Sequence, residues 1–106
     1  MTLVQLEYVV ALHNSKHFAK AAALCHITQP SLSMQVQKLE EELGVQIFLR
    51  TTPITTTETG QMIIDQAKKI LAEAGIMHQL MEQEKSIVSG SLKIAVIPTL
   101  APYLLP

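Results

Sequence analysis

The apolar positions of the first fifteen residues recur at helical spacing. Leu3, Leu6, Val9, Val10 and Leu12 form one stripe, and Thr2 followed by Gln5 three residues later is the spacing of a capping box that satisfies two orphan backbone donors. The polar run His13-Asn14-Ser15-Lys16-His17 ends that helix. Phe18 to Leu24 contains Ala19, Ala21, Ala22 and Ala23, strong helix formers whose small side chains let another helix come close. After the short break Cys25-His26-Ile27, Thr28 is a good N-cap and Pro30 falls in the first turn, where its missing N–H costs nothing. Leu32, Val36, Leu39 and Leu43 then lie at i, i+4, i+7 and i+11, within roughly 60° of one another on a helical wheel, so they predict a narrow buried stripe. Gly44 ends this third helix in the left-handed region.

Val45 to Phe48 and Ile54 to Thr56 are short and rich in β-branched residues, with Arg50-Thr51-Thr52-Pro53 between them. They predict a small hairpin with a polar tip. Thr57 caps the next helix, and Glu58 suits the positive end of its dipole. From there to about Val88 there is no Pro and, past the first turn, one Gly, Gly75. Thirty helical residues make a rod of about 45 Å, longer than a core of this size can cover, so the rod calls for a partner. Its pattern agrees: Ile63, Ala67, Ile70, Ala74, Met77 and Met81 follow a 4-3-4-3-4 heptad spacing, with Ile64, Leu71 and Leu80 beside it. The first turns of the stripe pack on the chain's own helices, and the distal half is the dimerisation seam. Ser89-Gly90-Ser91 breaks the rod, and Leu92 to Ile97 predicts a strand stopped by Pro98.

The predicted fold is therefore mainly α: a winged helix-turn-helix over residues 1–57, a long dimerising linker helix over 58–88, and over 89–106 a hinge and the first strand of a further domain. Composition narrows its uses. With 48% apolar and 16% charged residues the chain is not intrinsically disordered. Two Phe, two Tyr and no Trp are too few rings for a single-strand stacking platform. The formal charge is −1, so any contact with DNA must come from local placement of side chains. One cysteine, Cys25, excludes an internal disulfide framework. The start lacks a signal-peptide pattern and no run nears the roughly 20 apolar residues that span a bilayer, so the expected setting is soluble and cytoplasmic, with no membrane contact.

Two short helices joined by a tight turn, the second narrowly amphipathic, describe a helix-turn-helix, whose second helix enters the DNA major groove. The face opposite Leu32, Val36 and Leu39 carries Pro30, Ser31, Ser33, Met34, Gln37 and Lys38, with Gln29 at the entry. Gln pairs in two hydrogen bonds with adenine, Ser bonds base or phosphate, and Met touches a thymine methyl. On an isolated helix such a face is merely solvated; the alanine-rich helix before it and the hairpin after it favour the DNA reading.

Phe18, Ala21-Ala22 and His26-Ile27-Thr28-Gln29-Pro30-Ser31-Leu32-Ser33, followed by Lys38-Leu39-Glu40, Leu43-Gly44-Val45, Phe48 and Arg50-Thr51, resemble the DNA-binding domain of LysR-type transcriptional regulators. Thr57-Glu58 and Gly60 match the start of that family's linker helix, and Gly90-Ser91-Leu92-Lys93-Ile94 resembles the first strand of its effector-binding domain. Leu6-Glu7-Tyr8, Cys25-His26 and the run Ile97 to Pro106 resemble the hydrogen-peroxide-responsive branch. The resemblance implies groove contacts from Gln29, Pro30, Ser33 and Met34, with Thr28 and Ser31 near phosphate and Arg50 in the wing. It also implies a homodimer on double-stranded DNA, tetrameric at full length, with RNA polymerase as a possible partner and antiparallel linker helices. Two positions depart from the family. Position 34 is often Arg there and is Met here, which cannot make the paired contact to guanine; the wing tip has one basic residue, Arg50, where several are usual.

Other chemistry is thin. His13, His17 and Cys25-His26 straddle a helix end without a second cysteine, so no metal is expected. Glu40-Glu41-Glu42 reads as a solvated helix end. No catalytic triad order, phosphate loop or paired-carboxylate pocket is visible, so neither enzyme activity nor a cofactor is expected. In the peroxide-responsive branch the sensing cysteines belong to the effector domain, so the resemblance gives Cys25 no sensing role. The competing readings are a regulator answering to a small metabolite and, in another class, a helical protein-interaction module that does not bind DNA.

Overall fold

A computed structural model describes residues 1–94. The helices are α1 (Leu3–Ser15), α2 (Phe18–Leu24), α3 (Gln29–Leu43) and α4 (Glu58–Ile94), with strands β1 (Phe48–Leu49) and β2 (Thr55–Thr56) between α3 and α4. The chain divides into two compact units, Met1–Ala72 and a second beginning at Glu73. No helix among the described residues is long and apolar enough to cross a membrane.

Each helix begins and ends where local chemistry directs. Thr2 and Gln5 close the expected capping box on α1, and the Thr28 hydroxyl accepts the Ser31 N–H at the start of α3. Gly44 ends α3 at φ 72°, as its lack of a Cβ allows. Two other stops use residues with side chains. Lys16 caps α1 at φ 63° and His26 follows α2 at φ 59°. At the second, the His26 N–H reaches the Ala23 carbonyl and the Ile27 N–H the Ala22 carbonyl, at 3.2 and 3.0 Å. That is a Schellman arrangement, which satisfies the last carbonyls of α2 and turns the chain into α3 without a glycine.

The core of the first unit draws on all four helices and on the wing region. Leu6, Val9 and Leu12 of α1, Ala21 and Ala22 of α2, and Leu32, Val36 and Leu39 of α3 are buried together with Ile47, Phe48 and Ile54 of the wing region. Each large apolar side chain so buried contributes about 1.5–3 kcal/mol. Ala21 and Ala22 hold α2 close to its neighbours because they add little bulk. Leu43, expected to close the α3 stripe, lies at the rim and is 38% exposed. Ile64 and Ala67 of α4 are also fully buried in this core, with Ile63, Ile70 and Leu71 packed against it. The first turns of α4 are thus part of the winged unit itself.

The hairpin is shorter than its β-branched residues predict, with Phe48 opposite Thr56 and Leu49 opposite Thr55. Backbone groups that would lengthen it are engaged elsewhere. The Ile47 and Phe48 N–H groups donate to the Glu40 carboxylate, the Ile47 carbonyl accepts the Thr57 N–H, and the Ile54 N–H donates to the Lys16 carbonyl. At the far end the expected break at Ser89-Gly90-Ser91 and the strand from Leu92 are not found, because α4 continues to Ile94. A helix satisfies its own backbone groups, whereas a strand needs a neighbouring strand to receive them. Ala95 to Ile97, and the tail after them, lie outside the described residues.

Gly60 sits in the first turn of α4 against the wing. A Cβ there would meet the Ile47 carbonyl oxygen far inside van der Waals contact, and the Ile47 carbonyl carbon and Cα at 2.9 Å. Backbone cannot swing aside as a side chain can, so Gly60→Ala should cost about 1–3 kcal/mol. Gly75, with nothing within 4 Å of such a Cβ, should gain about 0.5–1 kcal/mol when changed to Ala. Denaturant melts of the two variants check the pair, and opposite signs are expected.

Candidate nucleic-acid interface

The exposed entry of α3 presents the predicted face. Gln29, Pro30, Ser31, Gln37 and Lys38 are exposed, Met34 is 51% exposed and Ser33 is half-buried. Thr28 is exposed too, but its hydroxyl is engaged: it accepts the Ser31 N–H at 3.3 Å and donates to the Ser31 hydroxyl at 2.9 Å. It shapes the helix start and holds Ser31 in place. Gln37 lies one turn from Glu41, with its amide N–H 3.5 Å from that carboxylate. Lys16, Lys20 and Lys38 are exposed and form no ion pair among the described residues, and the Lys16 ammonium donates to the His13 carbonyl at 3.3 Å.

Arg50 is held differently from a loose wing-tip cation. Its Nη2 donates to Glu40 Oε1 at 3.0 Å and its Nη1 to the Phe48 carbonyl at 3.3 Å. The guanidinium carbon lies 5.5 Å from the centre of the Phe18 ring, within cation–π reach. Glu40 is the residue that sequence reasoning placed wrongly. It was expected in solvent with Glu41 and Glu42, yet its side chain is only 11% exposed. It accepts the Ile47 and Phe48 N–H groups at 2.7 and 3.1 Å as well as Arg50. Its place one residue after Leu39, at the edge of the buried stripe, was the available signal.

Gln29 and Arg50 share the wall of a depression of about 370 Å³ with Lys16, His17, Phe18, Ala19 and the wing tip Thr51 to Ile54. The tertiary fold thus adds Lys16 and His17, which lie in the polar stop after α1, to the entry of the recognition helix. Cys25 is half-buried. Burial, with the Glu7 carboxylate nearby, raises its thiol above the ordinary range, which keeps it protonated and a poor nucleophile.

Along α4 the seam residues divide. Ala67 is 1% exposed within its own unit and has no surface left for a partner, which removes it from the predicted dimer seam. Ile63 and Ile70 are half-buried against the same core. Within the second unit Ala74 is half-buried, and Ile76, Met77, Leu80 and Met81 are exposed at 46%, 67%, 54% and 53%.

A trihelical core with a two-stranded wing and an exposed polar face on the third helix is a winged helix-turn-helix. Residues 3–61 match the family described as bacterial regulatory helix-turn-helix protein, lysR family. The chain belongs to that family. Over all of its residues it is 44% identical to the DNA-binding transcriptional dual regulator OxyR of Escherichia coli K12, and it spans 35% of that protein. Among solved structures it is similar to the BenM DBD in complex with benA site 1 DNA (TM-score 0.77, 39% identity, covering 81% of this chain and 98% of that one). It is also similar to a full-length OxyR variant from Pseudomonas aeruginosa (TM-score 0.75, 44% identity, 78% of this chain and 28% of that one). The chain therefore spans about a third of the length of the curated relatives it matches.

His13 joins α1 to the wing, its Nδ1 lying 2.8 Å from the Thr56 hydroxyl. Burial holds its pKa below the ordinary 6.5; Lys16 and Lys68 push the same way, and Asp65 opposes them. The unfolded chain therefore takes up a proton at higher pH than the folded one. The His13 contribution to stability is complete above about pH 6.5 and declines as pH falls from there through the lowered folded value. Urea melts across that window should show His13→Gln losing less stability on acidification than the parent chain.

Proposed function

We propose that this chain is the DNA-reading and dimerising part of a transcriptional regulator that binds a pseudo-palindromic promoter site as a homodimer. Residues 1–57 read double-stranded DNA, 58–88 link and pair the protomers, and 89–106 lead towards an effector-binding portion. The observation that carries the reading is the exposed entry of α3, with Gln29, Ser33 and Met34 free of the core, on a backbone that matches a DNA-bound relative over 81% of this chain. Whole-chain identity of 44% to a hydrogen peroxide-inducible genes activator supports peroxide as the signal of the complete regulator. Such a regulator acts in the cytoplasm, assembles to a tetramer at full length and meets RNA polymerase at the promoter.

Base reading by Gln29 and Ser33 is worth about 1–3 kcal/mol of discrimination each. Gln29→Ala and Ser33→Ala should each relax sequence preference in a binding-site selection on randomised duplexes, with little change in affinity for bulk DNA. A double variant that selects the parent's sequence would refute the assigned face.

The exposed apolar side chains of α4 beyond Glu73 supply the pairing surface. Met77→Glu puts a charge at a large apolar residue of that surface that is 67% exposed, and burying a charge without a partner is costly. Sedimentation at micromolar concentration should show a dimer for the parent chain and a monomer for Met77→Glu.

A further inference from the structure

Arg50 has five N–H donors, and their use is uneven. Glu40 takes the outer edge of the guanidinium, with Nη2 to Oε1 at 3.0 Å and Nη1 to Oε2 at 3.5 Å. The remaining Nη1 hydrogen is directed to the Phe48 carbonyl at 3.3 Å. That leaves Nε–H and the second Nη2–H without an acceptor among the described residues. These two donors are parallel and lie on one edge, the fork that matches two oxygens of a carboxylate or phosphate. The guanidinium cannot readily turn away, because Glu40 holds one end and the Phe18 ring lies beneath it.

The surroundings of that group select the ligand. The polar part of the wall beside Arg50 is Lys16, His17, Gln29, Thr51 and Thr52, and the rest is apolar, with Phe18 and Ile54 the largest; the Thr51 hydroxyl already donates to the Pro53 carbonyl. No carboxylate lines it; Glu40 and Glu41 border a different depression, whose wall Arg50 also shares. A wall that carries two cations and no anion suits a ligand that is negatively charged and accepts hydrogen bonds. A base edge, which offers donors and acceptors together, is matched less well.

We propose that this depression seats one backbone phosphate of bound DNA, gripped by the Nε–Nη2 edge of Arg50, and that Glu40 is the positioning residue that keeps this edge presented. This rests on the DNA-binding reading above and adds to it the group recognised and the role of Glu40. The phosphate would lie beside Gln29, so the contact sets the register in which α3 meets the bases.

The proposal makes an unusual prediction of sign. Glu40→Gln removes a negative charge from a DNA-binding unit, which by long-range electrostatics alone should tighten binding. If Glu40 positions Arg50, the variant binds more weakly. The test titrates the 106-residue chain and its variants into labelled duplexes of about 30 bp, one A·T-rich and one G·C-rich, over about 50–300 mM salt. Arg50→Gln should lose affinity by the same factor on both duplexes, and its log K against log salt slope should shrink by about 0.9 per bound protomer. Glu40→Gln should reproduce the reduced slope. Arg50→Lys keeps the charge but not the fork and should also fall short of the parent; it decides the matter if circular dichroism shows Glu40→Gln unfolded. Tighter binding by a folded Glu40→Gln, or a parental slope and affinity in Arg50→Lys, would overturn the proposal. A loss confined to one duplex would assign Arg50 to base or groove shape and overturn it too. Absence of any binding by the parent chain at about 50 mM salt would instead bring down the DNA-binding reading on which it rests.

Discussion

The Glu40 carboxylate lies where the recognition helix, the wing and the second helix meet. Two backbone N–H groups of the segment leading into β1 end on it, and so does Arg50, which in turn lies over Phe18 of α2. Hydrogen bonds to a charged group are worth about 1.5–3 kcal/mol each. Losing this acceptor would also leave the Ile47 and Phe48 N–H groups unpaired beside two fully buried side chains. A shallow polar surface thereby acquires a defined geometry. The wing cannot drift relative to α3 without breaking these bonds.

The same economy governs the backbone around the core. Ile47 donates to Glu40, and its carbonyl accepts both the N–H and the hydroxyl of Thr57, so one residue joins the end of α3 to the start of α4. Gly60 lets the first turn of α4 close on that carbonyl. The wing is consequently a pair of two-residue strands fixed at both roots, and its hydrogen bonds go mainly to neighbouring elements. For a DNA-binding unit this is useful: the recognition face and the wing-tip depression are presented by a frame whose parts are tied to each other, which lowers the cost of ordering them on binding.

Burial along α4 separates two uses of one hydrophobic stripe. Ile64 and Ala67 complete the core of the winged unit, and without them Phe48 and Ile54 would have less apolar cover. Between Glu73 and Lys85 the large apolar residues are exposed, with Met77 at 67% and Leu80 at 54%. A stripe of Met, Leu and Ile that solvent reaches is costly to leave bare, and this is the physical support for the proposed pairing with a second protomer.

Much of this was legible in the order of residues. Thr2 with Gln5, Thr28 with Pro30, and Gly44 set helix boundaries by local hydrogen bonds and backbone sterics, which depend on few neighbours. The stripe of Leu32, Val36 and Leu39 turned Gln29, Ser33 and Met34 outward, because a helix has a fixed period. What remained illegible depended on residues far apart in the chain. In sequence Glu40 differs from Glu41 and Glu42 only by its place beside Leu39 at the edge of the stripe, and it is the approach of the wing that takes it out of solvent. His26 and Lys16 adopt left-handed backbone although neither is glycine, since the surrounding packing outweighs a local cost. Lys16 and His17 join Gln29 and Arg50 only once α1, α2 and the wing are folded together. Local pattern determined the first three helices, the start of the fourth and their faces; tertiary packing decided which charges are held, because a charge is fixed by partners that sequence spacing does not reveal.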